Sequence, residues 1–282
     1  MEAVHAVPFF VILLDSMSPL SAASNRPRVM DPDAVPRPIT GLSWDYASGY
    51  EIPRHRHAKS QVVYARAGVM TVSTAEGTWV VPPQHAVWVP ARTEHEIRMS
   101  GNVEMRTLYL DALAARELPT HCCVLNVGTL LRELILSGVD LPQLYPLGGP
   151  EERLVSVLLD EIRAMQVAPL HLPQPRDPRL LTIATALGRD PADGRDLEQW
   201  SRAVAASPRT LARLFRRETG LTFGRWRQQL RLLRALEWLA GGRSVTDIAL
   251  SLGYGSTSAF VAMFRRNLGH TPGRYFSDPA GR

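Results

Sequence analysis

A chain of 282 residues is long enough for two compact units, each with its own core, at roughly 100–200 residues per domain. With apolar residues at 45% and charged residues at 21%, neither a disordered nor a collagen-like protein fits. Its two cysteines, Cys122 and Cys123, are adjacent, too cramped to bridge a loop. That excludes a disulfide scaffold and a cysteine zinc site, and it predicts a reducing, cytoplasmic setting. Charge is uneven: residues 1–175 carry 14 basic and 18 acidic side chains, whereas residues 176–282 carry 18 basic, all arginine, and 9 acidic. The C-terminal part is therefore a separate basic body, and the planar arginine fork suits phosphate oxygens and guanine edges.

Near the start, Val7 to Leu14 is a short apolar run followed by small residues at Ser21 to Ser24, the outline of a weak signal peptide. Glu2 precedes it with no Lys or Arg, and the run is far shorter than the ~20 residues of a membrane helix. Residues 1–36 are read as a disordered, dispensable extension, with Met30 an alternative beginning and no membrane partner. From Gly41 to Asp111 the chain runs in short β-branched and aromatic pieces between turn residues, which predicts a small β-barrel or sandwich over residues 37–112. The predicted strands are 61–65, 69–74, 77–81, 86–89, 94–99 and 103–109.

Within this region His55 and His57 stand two residues apart, so on a strand both rings share a face, with Gln61 four residues on. His95, at a later strand end, completes a three-histidine set able to hold a divalent metal, with Gln61 or water as a further ligand. Two other readings stay open: the first pair solvated among Arg54, Arg56 and Lys59, or all three hydrogen-bonded in a polar pocket. Of Trp44, Trp79 and Trp88, one is expected to line such a pocket and the rest to be core.

After Asp111 the periodicity becomes helical. Leu130, Leu131, Leu134, Ile135 and Leu136 form one apolar stripe, and Leu154, Val155, Leu158, Leu159 and Ile162 form a second. Residues 113–166 are read as a helical segment, packed on the barrel or offering one stripe, Leu158 included, to a dimer partner. Residues 167–178 hold several prolines and no helical period, which predicts a semi-rigid linker.

Beyond it, two stretches share one plan, a short amphipathic helix, a tight turn and a second helix with a basic outer face. In the first, Asp196 caps Leu197 to Val204, Ala205 and Ala206 turn, and Ser207 with Pro208 opens a helix that Gly220 ends. Leu211, Leu214 and Phe215 are its buried stripe, leaving Arg209, Thr210, Ala212, Arg213, Arg216 and Arg217 outward or flanking. In the second, Ser244 to Leu252 leads to a helix from Ser256 to Leu268 that buries Phe260, Met263 and Phe264. Thr257, Ser258, Val261, Ala262, Arg265 and Arg266 lie on its other faces. Between them Phe223 to Ala240 reads as one helical strut of ~27 Å at ~1.5 Å per residue, sized to hold two reading heads toward successive major grooves ~34 Å apart.

Two resemblances attach to these residues. Gly49 to Gly68, carrying His55 and His57, resembles the first cupin motif, with Gln61 where that pattern has Glu. Gly77, Pro82, Pro83, Pro90 and His95 resemble the second, although His85 replaces an internal Gly and the Asn after its His is missing. Gln61 cannot act as a general base, so the resemblance implies a binding pocket more than a dioxygenase or isomerase. Residues 180–276 resemble the DNA-binding domain of the AraC/XylS family of transcription regulators. That likeness rests on Ser207 to Gly220, Ile248 to Tyr254, Ser258 to Phe260, Phe264 to Arg266, and Gly269, Thr271 and Pro272. It implies base reading at Arg209, Ala212, Arg213, Thr257, Ser258, Val261 and Ala262.

The expected architecture is α+β and multidomain: a cupin-like, effector-sensing β-barrel followed by an all-α domain at 179–280 with two helix-turn-helix units. The expected function is a DNA-binding transcription regulator, not an enzyme, controlled by a small molecule or metal. Its partners would be double-stranded DNA, a second copy of the chain, and RNA polymerase. A metal-dependent cupin enzyme with a basic accessory domain is the rival reading, and a nucleoid protein without sequence preference is a third.

Overall fold

A computed structural model describes residues 30–276; the leader-like run and the rest of residues 1–29 lie outside it. The strands are β1 (Ile39–Tyr46), β2 (Glu51–His55), β3 (Ser60–Ser73), β4 (Gly77–Val81), β5 (His85–Val89), β6 (His95–Leu110), β7 (Cys123–Asn126), β8 (Val167–Ala168) and β9 (His171–Pro173). All pairings are antiparallel, in the order β1-β6-β3-β5-β7-β8, with β2 on β6, β4 on β3 and β9 on β4. The long strands β3 and β6 run through two halves of the sheet: β5 covers Gln61 to Tyr64 and β4 covers Met70 to Ser73. Successive residues of β3 serve opposite cores. Val63 and Ala65 join the barrel interior, while Val62 and Tyr64 face α1 (Thr129–Val139) and α2 (Pro150–Arg163) on the outside, as a period of two requires.

Several expectations are corrected here. The pieces 61–65 with 69–74, and 94–99 with 103–109, are single long strands; β1 and β2 were absent from the predicted set. Residues 30–36 are ordered up to the sheet: Val35 is buried, and Asp33 accepts hydrogen bonds from the N–H groups of Ala58 and Lys59, both at 2.9 Å. The segment 113–166 contains β7 beside its two helices. The expected linker 167–178 carries β8 and β9, because Leu170 is buried and His171 stacks on Trp79 at 4.4 Å between ring centroids. Short edge strands tolerate its prolines. The Leu158 stripe is no free surface: Val155, Leu158 and Ile162 are buried against the sheet and α1.

The helical half comprises α3 (Pro178–Arg189), α4 (Leu197–Ala203), α5 (Pro208–Thr219), α6 (Phe223–Ala240), α7 (Val245–Ser251), α8 (Thr257–Leu268) and α9 (Pro272–Tyr275). Side-chain caps fix the starts: Asp196 and Gln199 form a capping box, and Ser207, Ser244 and Ser256 accept from the N–H groups of Thr210, Asp247 and Ala259. Glycines in the left-handed region, Gly220 and Gly269, end α5 and α8. The strut α6 serves three neighbours. Phe223, Trp226 and Leu230 complete the core of the first helix-turn-helix unit; Leu232, Ala235 and Leu236 complete that of the second.

Its third face docks on the sheet. Trp226 Nε1 donates to the Pro173 carbonyl at 2.9 Å. About three turns further along, buried Glu237 accepts from Thr71 Oγ1 at 2.6 Å and from Arg98 Nη2 at 3.0 Å, both on the sheet, and from Arg234 Nη1 at 2.7 Å on its own helix. The residues Trp226, Leu230, Leu233, Glu237 and Ala240 recur at the spacing of one helix face. The strut between the two helix-turn-helix units is therefore also the surface that meets the β-domain.

Candidate nucleic-acid interface and effector site

Burial of Leu211, Leu214 and Phe215 fixes the rotation of α5 and turns Arg209, Arg213, Arg216 and Arg217 to solvent, with Thr210 and Ala212 half-buried beside them. In α8 the buried trio Phe260, Met263 and Phe264 exposes Ser258, Ala262, Arg265 and Arg266. Thr257 and Val261 are half-buried, and Val261 packs on the core. The six outward arginines are not equivalent. Arg217 lies 3.0 Å from Glu218, whose other oxygen accepts from the N–H groups of Arg176 and Asp177 at 2.9 Å each. That carboxylate tethers the start of α3, and the Arg217 guanidinium is already paired with it. Two arginines of the strut are also occupied: Arg227 donates to the Arg195 carbonyl, and Arg231 to that of Pro191.

The three sequence-flagged histidines converge. One ring nitrogen from each of His55, His57 and His95 lies within 4.8 Å of the other two. His55 ends β2 opposite His95, the first residue of β6, while His57 sits just past the strand. Each Nδ1 has an anchor: the Pro53 carbonyl for His55 at 2.8 Å, the Thr93 carbonyl for His95 at 2.9 Å, and Asp33 Oδ2 for His57 at 3.6 Å. For His55 and His95, anchoring Nδ1–H in this way selects the tautomer whose Nε2 carries the lone pair, the arrangement metal-ligating histidines use. His95 Nε2 and Gln61 Oε1 are buried with no hydrogen-bond partner among the described residues.

Burial keeps two of the rings, His55 and His95, neutral. Burial, with the neighbouring His95 adding to it, holds His55 down to about 3, and burial holds His95 down to about 4. For Asp33, burial works upward, but hydrogen bonds from His57 and from the Ala58 and Lys59 N–H groups outweigh it and hold the carboxyl below its ordinary value. Two nitrogens bound to one ion at about 2.0–2.1 Å each stand at most about 4.2 Å apart, so a small inward rotation closes the set. The residues fit a divalent metal. Gln61 is buried in hydrogen-bond reach of Tyr109, which packs edge-on against His57 at 4.9 Å between centroids.

Sequence reasoning missed Asp33 and Tyr109. Tyr109 follows from register, since it pairs with Gln61 across β3 and β6. Asp33 has no local signal, because it reaches the site only through the fold. Of the tryptophans, Trp79 is core against His171, and Trp88 faces the outer helices with Nε1 donating to the Pro119 carbonyl. Cys122 and Cys123 are buried on opposite faces of the sheet, and burial pushes their thiols up to about 12 and about 11, so both stay protonated and unreactive.

Comparison with known proteins agrees with this division. Residues 38–136 match the AraC-like ligand binding domain, and residues 200–278 match a helix-turn-helix domain family. The HTH-type transcriptional regulator NimR of Escherichia coli (strain K12) is 40% identical over 225 residues, 80% of this chain and 82% of that protein. The HTH-type transcriptional regulator RipA of Corynebacterium glutamicum is 36% identical over 110 residues, covering 39% of this chain and 33% of RipA. A crystal structure of ToxT from Vibrio cholerae O395 aligns over 87% of this chain and 99% of that one, at 10% identity and a TM-score of 0.37, too distant to add to the assignment. With its sheet domain ahead of paired helix-turn-helix units and its near full-length similarity to NimR, the chain belongs to the AraC-type family of DNA-binding transcription regulators.

Proposed function

We propose that this regulator grips two successive major-groove segments of duplex DNA with α5 and α8, and that its effector is a divalent metal ion bound by His55, His57 and His95. The observation that carries the metal reading is the convergence of one ring nitrogen from each histidine to within 4.8 Å, with His55 and His95 anchored through Nδ1 and held neutral far below pH 7, around the orphaned His95 nitrogen. Arg209 and Arg213 read bases from the first unit, supported by Thr210 and Ala212. Thr257, Ser258, Val261 and Ala262 add weaker contacts from the second, while Arg216, Arg265 and Arg266 hold phosphates. Control requires that the metal bind one arrangement of the two domains better than another. The sheet strands that carry the histidines also carry Arg98, which reaches Glu237 on the strut.

The chain works in the cytoplasm as a homodimer, through the outer face of α1 and α2 where Leu130 and Val157 are 56% and 47% exposed, and it acts on RNA polymerase at its promoters. An enzyme reading of the same histidines is disfavoured by Gln61, which supplies neither a carboxylate ligand nor a general base. The test is DNA selected from a random pool by the full chain, then titrated by fluorescence anisotropy with and without Zn2+, Mn2+ or Ni2+. The His57→Ala/His95→Ala variant should keep DNA affinity and lose its metal response. DNA binding that ignores metal in the unaltered chain would sink the metal assignment.

A further inference from the structure

A cavity of about 340 Å³ lies on the seam between the sheet and the strut α6, on the opposite side of β2 and β6 from the histidines. Alternation along β6 buries His95 and turns the exposed Glu96 and Arg98 outward into this space, which Ile52 and Ile97 also border. Its walls come from both domains: Thr71, Val80 and Arg98 from the sheet, Leu233, Arg234 and Glu237 from the strut. We propose that this seam holds a second ligand site, for a small organic cation carrying an apolar body, and that its occupant bolts the β-domain to the strut.

Charge selects the ligand class. At the base, Glu237 is already satisfied by Thr71, Arg98 and Arg234. At the mouth, Glu51 and Glu96 are exposed and have no ion-pair partner among the described residues. An anion would have to pass these two carboxylates and then take Arg98 and Arg234 from a buried Glu237, leaving that charge unpaired. A cation keeps the clamp intact and gains Glu51 and Glu96. Between mouth and base, Val80, Leu172 and Leu233 offer apolar wall to a ring or short chain. The volume sits at the lower end of small-molecule pockets, which favour domain interfaces. Because the walls belong to two domains, the ligand binds the docked arrangement alone and shifts the equilibrium toward it. It therefore opposes any effector that separates the sheet from the strut.

The probe is benzamidine, with benzoate as its shape-matched anion, titrated calorimetrically into the full chain. Benzamidine should bind saturably in the millimolar range or better, and benzoate at least tenfold more weakly. Glu51→Gln/Glu96→Gln, two isosteric changes at exposed positions, should weaken benzamidine about tenfold, and Ser73→Trp should block it by filling the cavity. The unfolding midpoint of each variant in urea establishes that it is folded. Equal binding of benzoate, full benzamidine affinity in either variant, or no saturable heat from benzamidine would each overturn the proposal.

Discussion

Thr71 in β3 donates its hydroxyl hydrogen to Glu237 in α6 at 2.6 Å, linking residues 166 positions apart across the seam between the two domains. Glu237 is only 8% exposed, so its charge depends on the donors that surround it. Removing the carboxylate leaves Arg98, Arg234 and Thr71 without their acceptor, and hydrogen bonds to charged groups contribute roughly 1.5–3 kcal/mol each. Glu237→Ala is expected to destabilise the full chain by about 2–4 kcal/mol. Glu237→Gln, which keeps an acceptor for Thr71, should cost about half as much. Urea unfolding checks both, and hydrogen exchange should locate the new opening at β3 and α6.

The other end of the seam is set by backbone contact. Gly101 of β6 has φ +71°, and a Cβ there would stand 2.4 Å from the carbonyl oxygen of Ala240, the last residue of α6. Neither the strand nor the helix end can give way cheaply, so Gly101→Ala combines strain in a left-handed conformation with a steric clash. We expect a loss of about 1–3 kcal/mol in thermal unfolding, with looser docking seen as a larger radius of gyration in solution scattering.

Gly101 also shows why sequence alone divides these strands into shorter pieces. It and Gly68, at φ +74°, look like turn residues in sequence, yet each lies within a continuous strand, near where the β3–β6 register shifts at Ala65–Ala67 and Ala67–Val69. Turn chemistry and bulge chemistry use the same residue, and tertiary pairing alone separates them. The linker failed for a related reason: its prolines are real, but burial of Leu170 and stacking of His171 on Trp79 bring the segment into the sheet. By contrast the strut Phe223–Ala240 and both reading helices were legible to the residue or nearly so, because local caps and a 3.6-residue period fix them. The histidine site was half legible. Spacing marks His55 and His57 and motif likeness marks His95, but Asp33 arrives from a stretch with no periodicity.

Proton competition at that site has a worked direction. A histidine must be neutral to bind metal, and His55 and His95 are held down to about 3 and about 4, below the ordinary ~6.5. Metal affinity should therefore change little on their account between pH 7 and about 5.5, where an ordinary histidine site already loses up to about tenfold per ring per unit. Metal-free stability runs the other way. With folded values depressed, the unfolded chain takes up protons that the fold refuses, so stability is full above about pH 6.5 and is lost as pH falls toward about 4, by several kcal/mol. Calorimetric Zn2+ titrations at pH 7 and 5.5, beside urea midpoints of the metal-free chain at pH 7 and 5, test both signs. A steep loss of Zn2+ affinity across that interval would mean the rings titrate like exposed histidines.

The arginines of α5 should separate cleanly by what they touch. Arg213 is exposed on the face opposite Leu211 and Leu214, with no hydrogen-bond or ion-pair partner for its side chain among the described residues, whereas Arg217 is tied to Glu218 at 3.0 Å. A bidentate arginine–guanine contact carries about 1–3 kcal/mol of base discrimination. Arg213→Ala should therefore lower affinity for the selected site by that amount while leaving binding to random duplex nearly unchanged, which collapses the specificity ratio. Arg216→Ala, Arg265→Ala and Arg266→Ala should instead weaken selected and random duplexes alike, each reducing the slope of log affinity against log salt by about 1. Arg217→Ala should do less than any of these, because its guanidinium already pairs with Glu218, whose negative charge lies beside it. Anisotropy titrations of both duplexes at several salt concentrations distinguish the classes. If Arg213→Ala weakened both duplexes equally, α5 would be gripping phosphates rather than reading bases.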